Sequence, residues 1–194
     1  MFPKVSIIVP TLGRAEGLKR CLDSIANLNY PKSQIETIVI EDSPRLGVPK
    51  RVKEGVEKSS GSFIVFASND MEFEKNCLLE ALRETKALVA FNSGPVYPDE
   101  GNICEHFIIR RDFINEIGGE IFDTEFNHIG VDNLLWAKCF KLNEATRSER
   151  AIIHHYHFSK GSPFDEVYSL VWGREDVEKD RELLKKKLQE LNRK

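Results

Sequence analysis

The sequence predicts an α/β protein with a Rossmann-like, mostly parallel sheet flanked by helices. Three apolar runs, at residues 4–10, 35–40 and 62–67, alternate with segments of helical periodicity within about the first 70 residues. Runs of this kind are typical of strands buried on both faces of a parallel sheet. The alternation of strand and helix favours right-handed crossovers between parallel strands. A chain of 194 residues with 41% hydrophobic content can form one domain with a sizeable core.

The elements of the first half follow in order. The first strand is stopped by Pro10 and leads into a tight turn, after which apolar residues at positions 18, 21, 22 and 25 predict a helix with one face on the sheet. The second strand runs into Glu41 and Asp42, and a short helix at about 49–58 precedes the third strand. No GxGxxG motif follows the first strand, so dinucleotide binding of the usual Rossmann kind is disfavoured.

The second half is predicted to contain shorter elements, identified by their apolar spacing and their flanking Gly and Asp residues. They are a helix around 78–82, a strand at 87–91, a loop at 92–102, a strand at 106–111, a short helix at 111–119, a helix that starts at Asp132, and a last short strand at 151–153.

From about Phe164 the chain is predicted to form a C-terminal helical tail. Apolar residues at positions 177, 184, 188 and 191 share one helical face among many Lys and Glu residues. This face either lies on the domain, forms a short coiled coil between two copies, or contacts a membrane surface, and the sequence leaves these alternatives open. We therefore expect one domain at 1–163 and a tail at 164–194.

Composition argues against several classes of protein. The net charge of −3 gives no indication of a nucleic-acid groove, and no apolar run approaches the roughly 18 residues of a membrane span. The four cysteines are far apart and form no CxxC pair, so we expect reduced core thiols rather than a zinc site or a disulfide framework. Because the N-terminus has no signal-peptide pattern, the sequence predicts a cytoplasmic protein, which would reach a membrane only as a peripheral partner.

Three predicted strands end in polar residues that would meet at one edge of the sheet. These residues are Thr11 and Arg14 after the first strand, Glu41 and Asp42 after the second, and Ser68, Asn69 and Asp70 after the third. In open α/β sheets, ligands bind at the carboxyl ends of the strands. Asp70 is therefore a candidate to hold a divalent metal beside a diphosphate. An Asp at this position also commonly closes a turn or caps the following helix.

Four segments carry a more specific pattern. They are VSIIVPT at 5–11 followed by Arg14, IVIEDS at 38–43, GSFIVF at 61–66 leading to Ser68-Asn69-Asp70, and 107–119 followed by GVDNLLW at 130–136. In this order and spacing they resemble the family 2 glycosyltransferases, enzymes of the GT-A fold, over about residues 4–161. The metal-binding DxD motif of that family is Ser68-Asn69-Asp70 here, and its Glu-Asp pair, which supplies the catalytic base, is Val131-Asp132.

The resemblance implies an inverting transfer of a sugar from a UDP- or GDP-linked donor, with Mn²⁺ or Mg²⁺ as cofactor. Asp70 would hold the metal that stabilises charge on the leaving diphosphate, and Asp132 would accept the proton of the acceptor hydroxyl. A single base indicates direct displacement, and hence inversion at the anomeric carbon. The other expected donor contacts are Pro10, Thr11, Arg14, Glu41, Asp42, Lys53, Ser68 and Asn69. The half at 1–91 would bind the donor and the half at 92–163 the acceptor, which is an unidentified glycan, lipid-linked group or protein.

Histidines after the last predicted strand are further candidates. Alternation in an extended chain places His155 and His157 on one face. They are either strand-end surface residues or ligands, and the resemblance implies that one of them contacts the metal or the diphosphate. His106 and His128 have no such support and are expected to be structural or exposed.

Several alternatives stay open at this point. Arg14 and Lys53 are phosphate contacts or ordinary surface bases, Trp136 is expected in the core, and Tyr97 and Asp99 are candidates for the acceptor site. Because two carboxylates of the family motifs are missing, the main alternative function is a GT-A-fold protein that binds nucleotide sugars without transferring them. A nucleotidyltransferase is disfavoured, because the turn at 11–14 is too short to be a Gly-rich, basic loop that holds a triphosphate.

Overall fold

The computed structural model describes residues 1–94, 104–171 and 174–193 of the chain. Within these residues, seven strands form one sheet. They are β1 (Val5–Thr11), β2 (Ile35–Glu41), β3 (Phe63–Phe66), β4 (Met71–Phe73), β5 (Leu88–Asn92), β6 (Phe107–Arg110) and β7 (Ala145–His155). Their order across the sheet is β2-β1-β3-β6-β5-β7-β4.

Most strands of this sheet run in one direction. β1 pairs in parallel with β2 and β3, and β5 pairs in parallel with β7. β6 is antiparallel to both β3 and β5, and β4 is antiparallel to β7. Of the strands in the described residues, β1, β2, β3, β5 and β7 therefore share one direction, which confirms the predicted mostly parallel sheet.

Six α-helices lie within the described residues. They are α1 (Ala15–Ala26), α2 (Val48–Glu57), α3 (Cys77–Ala81), α4 (Val131–Lys141), α5 (Glu166–Val171) and α6 (Arg174–Arg193). Short 3-10 turns occur at Lys32–Gln34, Asp112–Asn115 and Phe158–Lys160.

Helices cover both faces of the sheet. Successive residues of a strand point to opposite sides, so each strand contributes to a buried cluster on either face. Ile7 of β1 belongs to a buried cluster with Cys21 on the side of α1 and α3. The next residue, Ile8, belongs to a second cluster with Val52 and Leu134 on the side of α2 and α4. All four cysteines are buried free thiols within these clusters, as predicted.

The structure differs from the sequence prediction at three elements. β7 has eleven residues, whereas the sequence predicts only 151–153, because the exposed charges of Glu149 and Arg150 interrupt the apolar pattern. β4 is a three-residue strand that the sequence does not predict, and it pairs with the end of β7. The helix predicted at 111–119 is a 3-10 turn of four residues at Asp112–Asn115.

The C-terminal helix α6 lies on the domain, which is the first of the three alternatives for the tail. Leu183, Leu184 and Leu188 pack against the cluster on the side of α2 and α4. The carboxylate of Asp180 accepts hydrogen bonds from backbone N–H groups at 127–129, immediately before α4. In the part of the chain that the structure describes, no helix combines the length and the apolarity that a bilayer crossing requires. The division of the chain at residue 163 stays a prediction.

Candidate active site

The carboxyl ends of β1, β2 and β3 meet at a cavity of about 730 Å³. Its wall includes Asp70, which follows β3, and Asp132, which lies in the first turn of α4. The two carboxylates that the sequence singles out therefore share one cleft. His155 lines the same cavity, because β7 runs in the same direction as these strands and ends at the same edge.

Asp70 is buried, and its two carboxylate oxygens have different partners. Oδ1 accepts a hydrogen bond from the Ser68 hydroxyl and lies 3.5 Å from His155 Nε2. Oδ2 accepts a hydrogen bond from Arg14 Nη1 at 2.8 Å and another from the Tyr168 hydroxyl at 3.2 Å. One oxygen thus faces a histidine, whereas the other is balanced by a cation.

His106 joins Asp70 and His155 in a compact group. Each of the three residues offers one ligand atom, and these atoms lie within 4.8 Å of one another. His106 Nε2 is 2.7 Å from Ser68 Oγ, and the His106 ring meets the His155 ring edge-on at a centroid distance of 4.5 Å. The buried Nδ1 of His106 has no hydrogen-bond partner among the described residues.

Burial and mutual contacts set the protonation of this group. Burial disfavours charge on Asp70, but the hydrogen bond and positive charge of His155 hold the pKa of that carboxyl well below its usual range. Burial, with the nearby charge of His155, lowers the pKa of His106 to about 3. Burial also opposes a cation at His155, yet its contacts with Asp70 and Glu105 raise the pKa of that imidazole. At neutral pH the group therefore contains an ionised carboxylate beside a neutral imidazole at His106.

This donor set fits a divalent metal ion. A carboxylate with two imidazoles is a mixed oxygen and nitrogen donor set of the kind that transition ions accept, whereas Mg²⁺ prefers oxygen ligands alone. Of the ligands predicted from the sequence, Asp70 and His155 belong to the group, and His106 adds a third donor.

His157 lies beside the group rather than in it. Its ring centroid is 5.2 Å from that of His155, and its Nδ1 is 2.7 Å from the Ser159 hydroxyl. Burial, together with the charge of His155, lowers the pKa of His157 to about 4. Because His157 also lines the cavity, a neutral imidazole faces the same space as the three ligand candidates.

Arg14 connects Asp70 with the C-terminal segment. Its Nε and Nη2 donate hydrogen bonds to the two carboxylate oxygens of Asp165, at 2.7 and 3.0 Å. The guanidinium carbon lies 4.1 Å from the centroid of the Tyr168 ring. Burial opposes the charge, but the hydrogen bond to Asp165 and the charge of Asp70 raise the pKa of Arg14. A fixed guanidinium of this kind can bind phosphate oxygens.

The predicted donor contacts divide into those that line the cavity and those that do not. Those that line it are Pro10, Thr11, Arg14, Asp42, Ser68 and Asn69. Glu41 and Lys53 are exposed, and neither is among the lining residues. Lys53 instead lies 3.7 Å from the carboxylate of Glu120.

Asp42 holds the loop after β2 in place. Its carboxylate accepts hydrogen bonds from the N–H of Leu46 at 2.7 Å, from the N–H of Gly47 at 3.2 Å and from Arg51 Nε at 2.9 Å. Gly47 has a φ of 92°, and a Cβ there would lie 2.3 Å from the carbonyl oxygen of Asn127. The loop therefore requires glycine at this position, and Asp42 fixes it against the cavity.

Four residues of the site are not predicted as site residues from the sequence, namely Glu105, His106, Asp165 and Tyr168. His106 is expected to be structural or exposed, but it is buried and touches Ser68. It reaches the site because β6 is antiparallel to β3, so the beginning of β6 lies at the edge where β3 ends. Tyr97 and Asp99 lie outside the described residues.

Comparisons with known proteins identify similar chains. No family model matches the sequence. The chain is 23% identical to the glycosyltransferase AglE of Haloferax volcanii, over 54% of this chain and 44% of that protein. It therefore spans less than half the length of this relative.

Solved structures with a similar fold include a mannosyltransferase, S. aureus TarS and a galactosyltransferase. A mannosyltransferase of Pyrobaculum calidifontis, in complex with GDP-Man and Mn²⁺, has a TM-score of 0.67 at 16% identity, over 79% of this chain and 56% of that one. S. aureus TarS 1-349 in complex with UDP-GlcNAc has a TM-score of 0.64 at 16% identity, over 87% and 64%. The catalytic domain of Drosophila β1,4-galactosyltransferase 7, in complex with xylobiose, has a TM-score of 0.66 at 14% identity, over 89% and 81%.

These likenesses confirm the predicted fold. TM-scores of 0.64 to 0.67 show that the three solved structures share the fold of this chain, a sheet of mostly parallel strands between two helical layers. The chain thus has the GT-A-like fold of glycosyltransferases and resembles one glycosyltransferase in sequence, and the comparisons do not single out family 2.

Proposed function

We propose that this chain is a metal-assisted, inverting glycosyltransferase that transfers a sugar from a UDP- or GDP-linked donor to a hydroxyl group of an acceptor. One observation carries the proposal. The group of Asp70, His106 and His155 and the separate carboxylate of Asp132 line a single cavity at the carboxyl ends of the parallel strands. In open α/β sheets this edge is where ligands bind.

The metal-binding role falls to Asp70 and His155, with His106 as a third donor. A bound Mn²⁺ or Mg²⁺ would supply Lewis-acid stabilisation of the charge that develops on the leaving diphosphate. Arg14 adds a fixed positive charge on the other side of Asp70, where it can meet phosphate oxygens. Pro10 and Thr11 line the part of the cavity next to the Asp42 loop, which suits them to the nucleoside.

Asp132 is assigned as the general base. It is half-buried in the first turn of α4, and its Oδ1 accepts the N–H of Asn133 at 3.0 Å. In the proposed reaction the acceptor oxygen bonds to the anomeric carbon as the bond from that carbon to the phosphate oxygen breaks. The acceptor proton passes to the Asp132 carboxylate, and the nucleoside diphosphate leaves with the bonding electron pair. A single displacement of this kind inverts the anomeric centre.

The alternative is a protein that binds nucleotide sugars without transferring them. A specific observation favours it, because Oδ2 of Asp70 is already paired with Arg14 and Tyr168. In addition, Ser68 and Val131 occupy the positions at which the resembled family has acids.

Turnover of a panel of UDP- and GDP-sugars with Mn²⁺, followed by release of the nucleoside diphosphate, separates the two functions. The Asp132→Asn variant should lose roughly a hundredfold or more of the turnover rate and keep donor binding. Asp112→Asn is the matched control, because its side chain is 76% exposed and pairs only with Arg110 among the salt bridges of the described residues. Donor binding by calorimetry without turnover of any sugar would favour the binding protein. Absence of donor binding would refute both.

A further inference from the structure

The imidazole of His155 lies between two carboxylates on opposite edges of its ring. Nε2 is 3.5 Å from Asp70 Oδ1, and Nδ1 is 3.4 Å from Glu105 Oε2. The side chain of His155 is only 10% exposed. The first carboxylate belongs to the candidate metal group, whereas nothing in the proposed reaction uses the second.

Glu105 is itself held firmly. Its Oε2 accepts hydrogen bonds from Lys160 Nζ at 2.7 Å and from the Ser93 hydroxyl at 2.9 Å. Lys160 Nζ also lies 2.7 Å from Ser93 Oγ, so the three side chains form a closed triangle. This triangle joins the end of β5, the start of β6 and the turn after β7, and it fixes the carboxylate that faces Nδ1.

The contact with Glu105 determines which nitrogen of His155 is available to a metal. An ionised carboxylate accepts hydrogen bonds and donates none, so Nδ1 must carry the proton. Without a metal, Nε2 also carries a proton, because it faces the ionised Asp70 carboxylate. A divalent cation held by Asp70 would replace that proton and bind the Nε2 lone pair, while Nδ1 keeps its proton towards Glu105. Carboxylates that orient a metal-binding histidine in this way typically change metal affinity 10- to 100-fold when they are removed.

We propose that Glu105 is a positioning residue that sets the tautomer and orientation of His155 for a divalent cation bound by Asp70, His106 and His155. This inference rests on the metal-assisted function proposed above. Lys160 and Ser93 act one step further out, because they hold Glu105 rather than the histidine.

The chain contains a matched control for this contact. Glu74 Oε1 lies 3.2 Å from Nε2 of His154, the residue before His155 on the same strand, but both side chains are about half exposed. Neither residue lines the cavity. Glu74→Gln therefore removes the same charge from the same kind of pair without affecting the metal group.

The test is a calorimetric titration of the metal-free protein with Mn²⁺ alone, for the wild type, Glu105→Gln, Glu105→Ala and Glu74→Gln. We expect Mn²⁺ to bind about tenfold more weakly to Glu105→Gln, whose amide oxygen can still accept the Nδ1 proton, and up to about a hundredfold more weakly to Glu105→Ala. Glu74→Gln should bind as the wild type does. Thermal unfolding without metal identifies any variant that has lost its fold, and Glu105→Gln preserves the side-chain shape for that case.

The outcomes separate the inference from the function on which it rests. Equal Mn²⁺ affinity of wild type, Glu105→Gln and Glu105→Ala overturns the positioning role and leaves the metal site intact. If Glu74→Gln weakened Mn²⁺ binding as much as Glu105→Gln does, the positioning role would be overturned as well, because the effect would then come from the loss of one negative charge and not from the contact with His155. A wild type that binds no Mn²⁺ overturns the metal site, and the role of Glu105 with it.

Discussion

Replacement of Asp180 tests whether the C-terminal helix is part of the structure that holds the cavity at the strand ends. Asp180 is 1% exposed, and its carboxylate accepts the backbone N–H groups of Asn127 at 2.9 Å, His128 at 2.7 Å and Ile129 at 2.9 Å. These residues form the turn that leads into α4, where Asp132 lies. The Asp180→Ala change therefore removes the acceptor of three N–H groups at once.

The expected loss of stability follows from these three contacts. A buried backbone N–H without an acceptor costs about 1–3 kcal/mol, and water that enters the vacated space recovers part of this. We therefore expect Asp180→Ala to reduce the free energy of unfolding by about 3–5 kcal/mol, a large part of the usual 5–15 kcal/mol of a domain. Asp180→Asn keeps one acceptor oxygen and should lose less, about 1–2 kcal/mol.

Urea unfolding of the two variants, followed by far-UV circular dichroism, measures these losses. Asp176→Ala is the control on the same helix, because Asp176 is about one-third exposed and its carboxylate pairs with Arg45 at 3.2 Å. That variant should lose at most about 1 kcal/mol. If Asp180→Ala were no less stable than Asp176→Ala, the turn before α4 would not depend on α6, and the helix would be a dispensable tail.

Two further substitutions have definite expected outcomes. Burial opposes ionisation of Glu36, but hydrogen bonds such as that from Ser6 lower its pKa to about 2, so its carboxylate stabilises the fold above about pH 4.5 and this contribution is lost as the pH falls towards 2. Urea unfolding of Glu36→Gln between pH 6 and 2 should lack about 1–2 kcal/mol of this pH dependence, a value that allows for solvent screening. If the stability of the variant changed with pH as that of the wild type does, Glu36 would not be the group responsible. A Cβ on Gly17 of α1 would lie 2.5 Å from the carbonyl oxygen of Asn69, so Gly17→Ala should displace the turn that carries Asp70, weaken Mn²⁺ binding and cost about 1–3 kcal/mol. Alanine is otherwise favoured over glycine in a helix by up to about 1 kcal/mol. A Gly17→Ala variant that is more stable than the wild type and binds Mn²⁺ normally would therefore show that position 17 does not pack closely against the Asn69 carbonyl.

The sequence predicts those residues of the site that follow the parallel strands β1, β2 and β3. Apolar runs identify β1, β2 and β3, and parallel strands end at the same edge of a sheet. The polar residues after these strands are therefore expected to converge, and Thr11, Asp42 and Asp70 do line one cavity. The position of Asp132 in the first turn of a helix is also predicted, because a helical pattern starts at that residue.

The other residues of the site depend on long-range contacts that local patterns do not encode. His106 lies at the edge because β6 is antiparallel to β3, and the direction of a strand is not visible in its own residues. Tyr168 donates a hydrogen bond to Asp70 across 98 residues of sequence, from a segment that the sequence predicts only as the start of a helical tail. β7 carries His155, and the sequence predicts only part of this strand, because charged residues in its exposed middle interrupt the apolar pattern.

Ser68 lies at the position of the first acid in the DxD motif that the sequence resembles. Its hydroxyl donates to Asp70 Oδ1 and lies 2.7 Å from His106 Nε2, so one neutral group connects two of the three ligand candidates. A carboxylate at position 68 would share this buried space with Asp70, and two buried like charges disfavour each other's ionisation. With serine there, Asp70 stays ionised beside the Arg14 guanidinium, which is 2.8 Å from its second oxygen. In the proposed enzyme, serine at position 68 therefore leaves a less anionic pocket for the diphosphate. Its hydroxyl still contacts both Asp70 and His106.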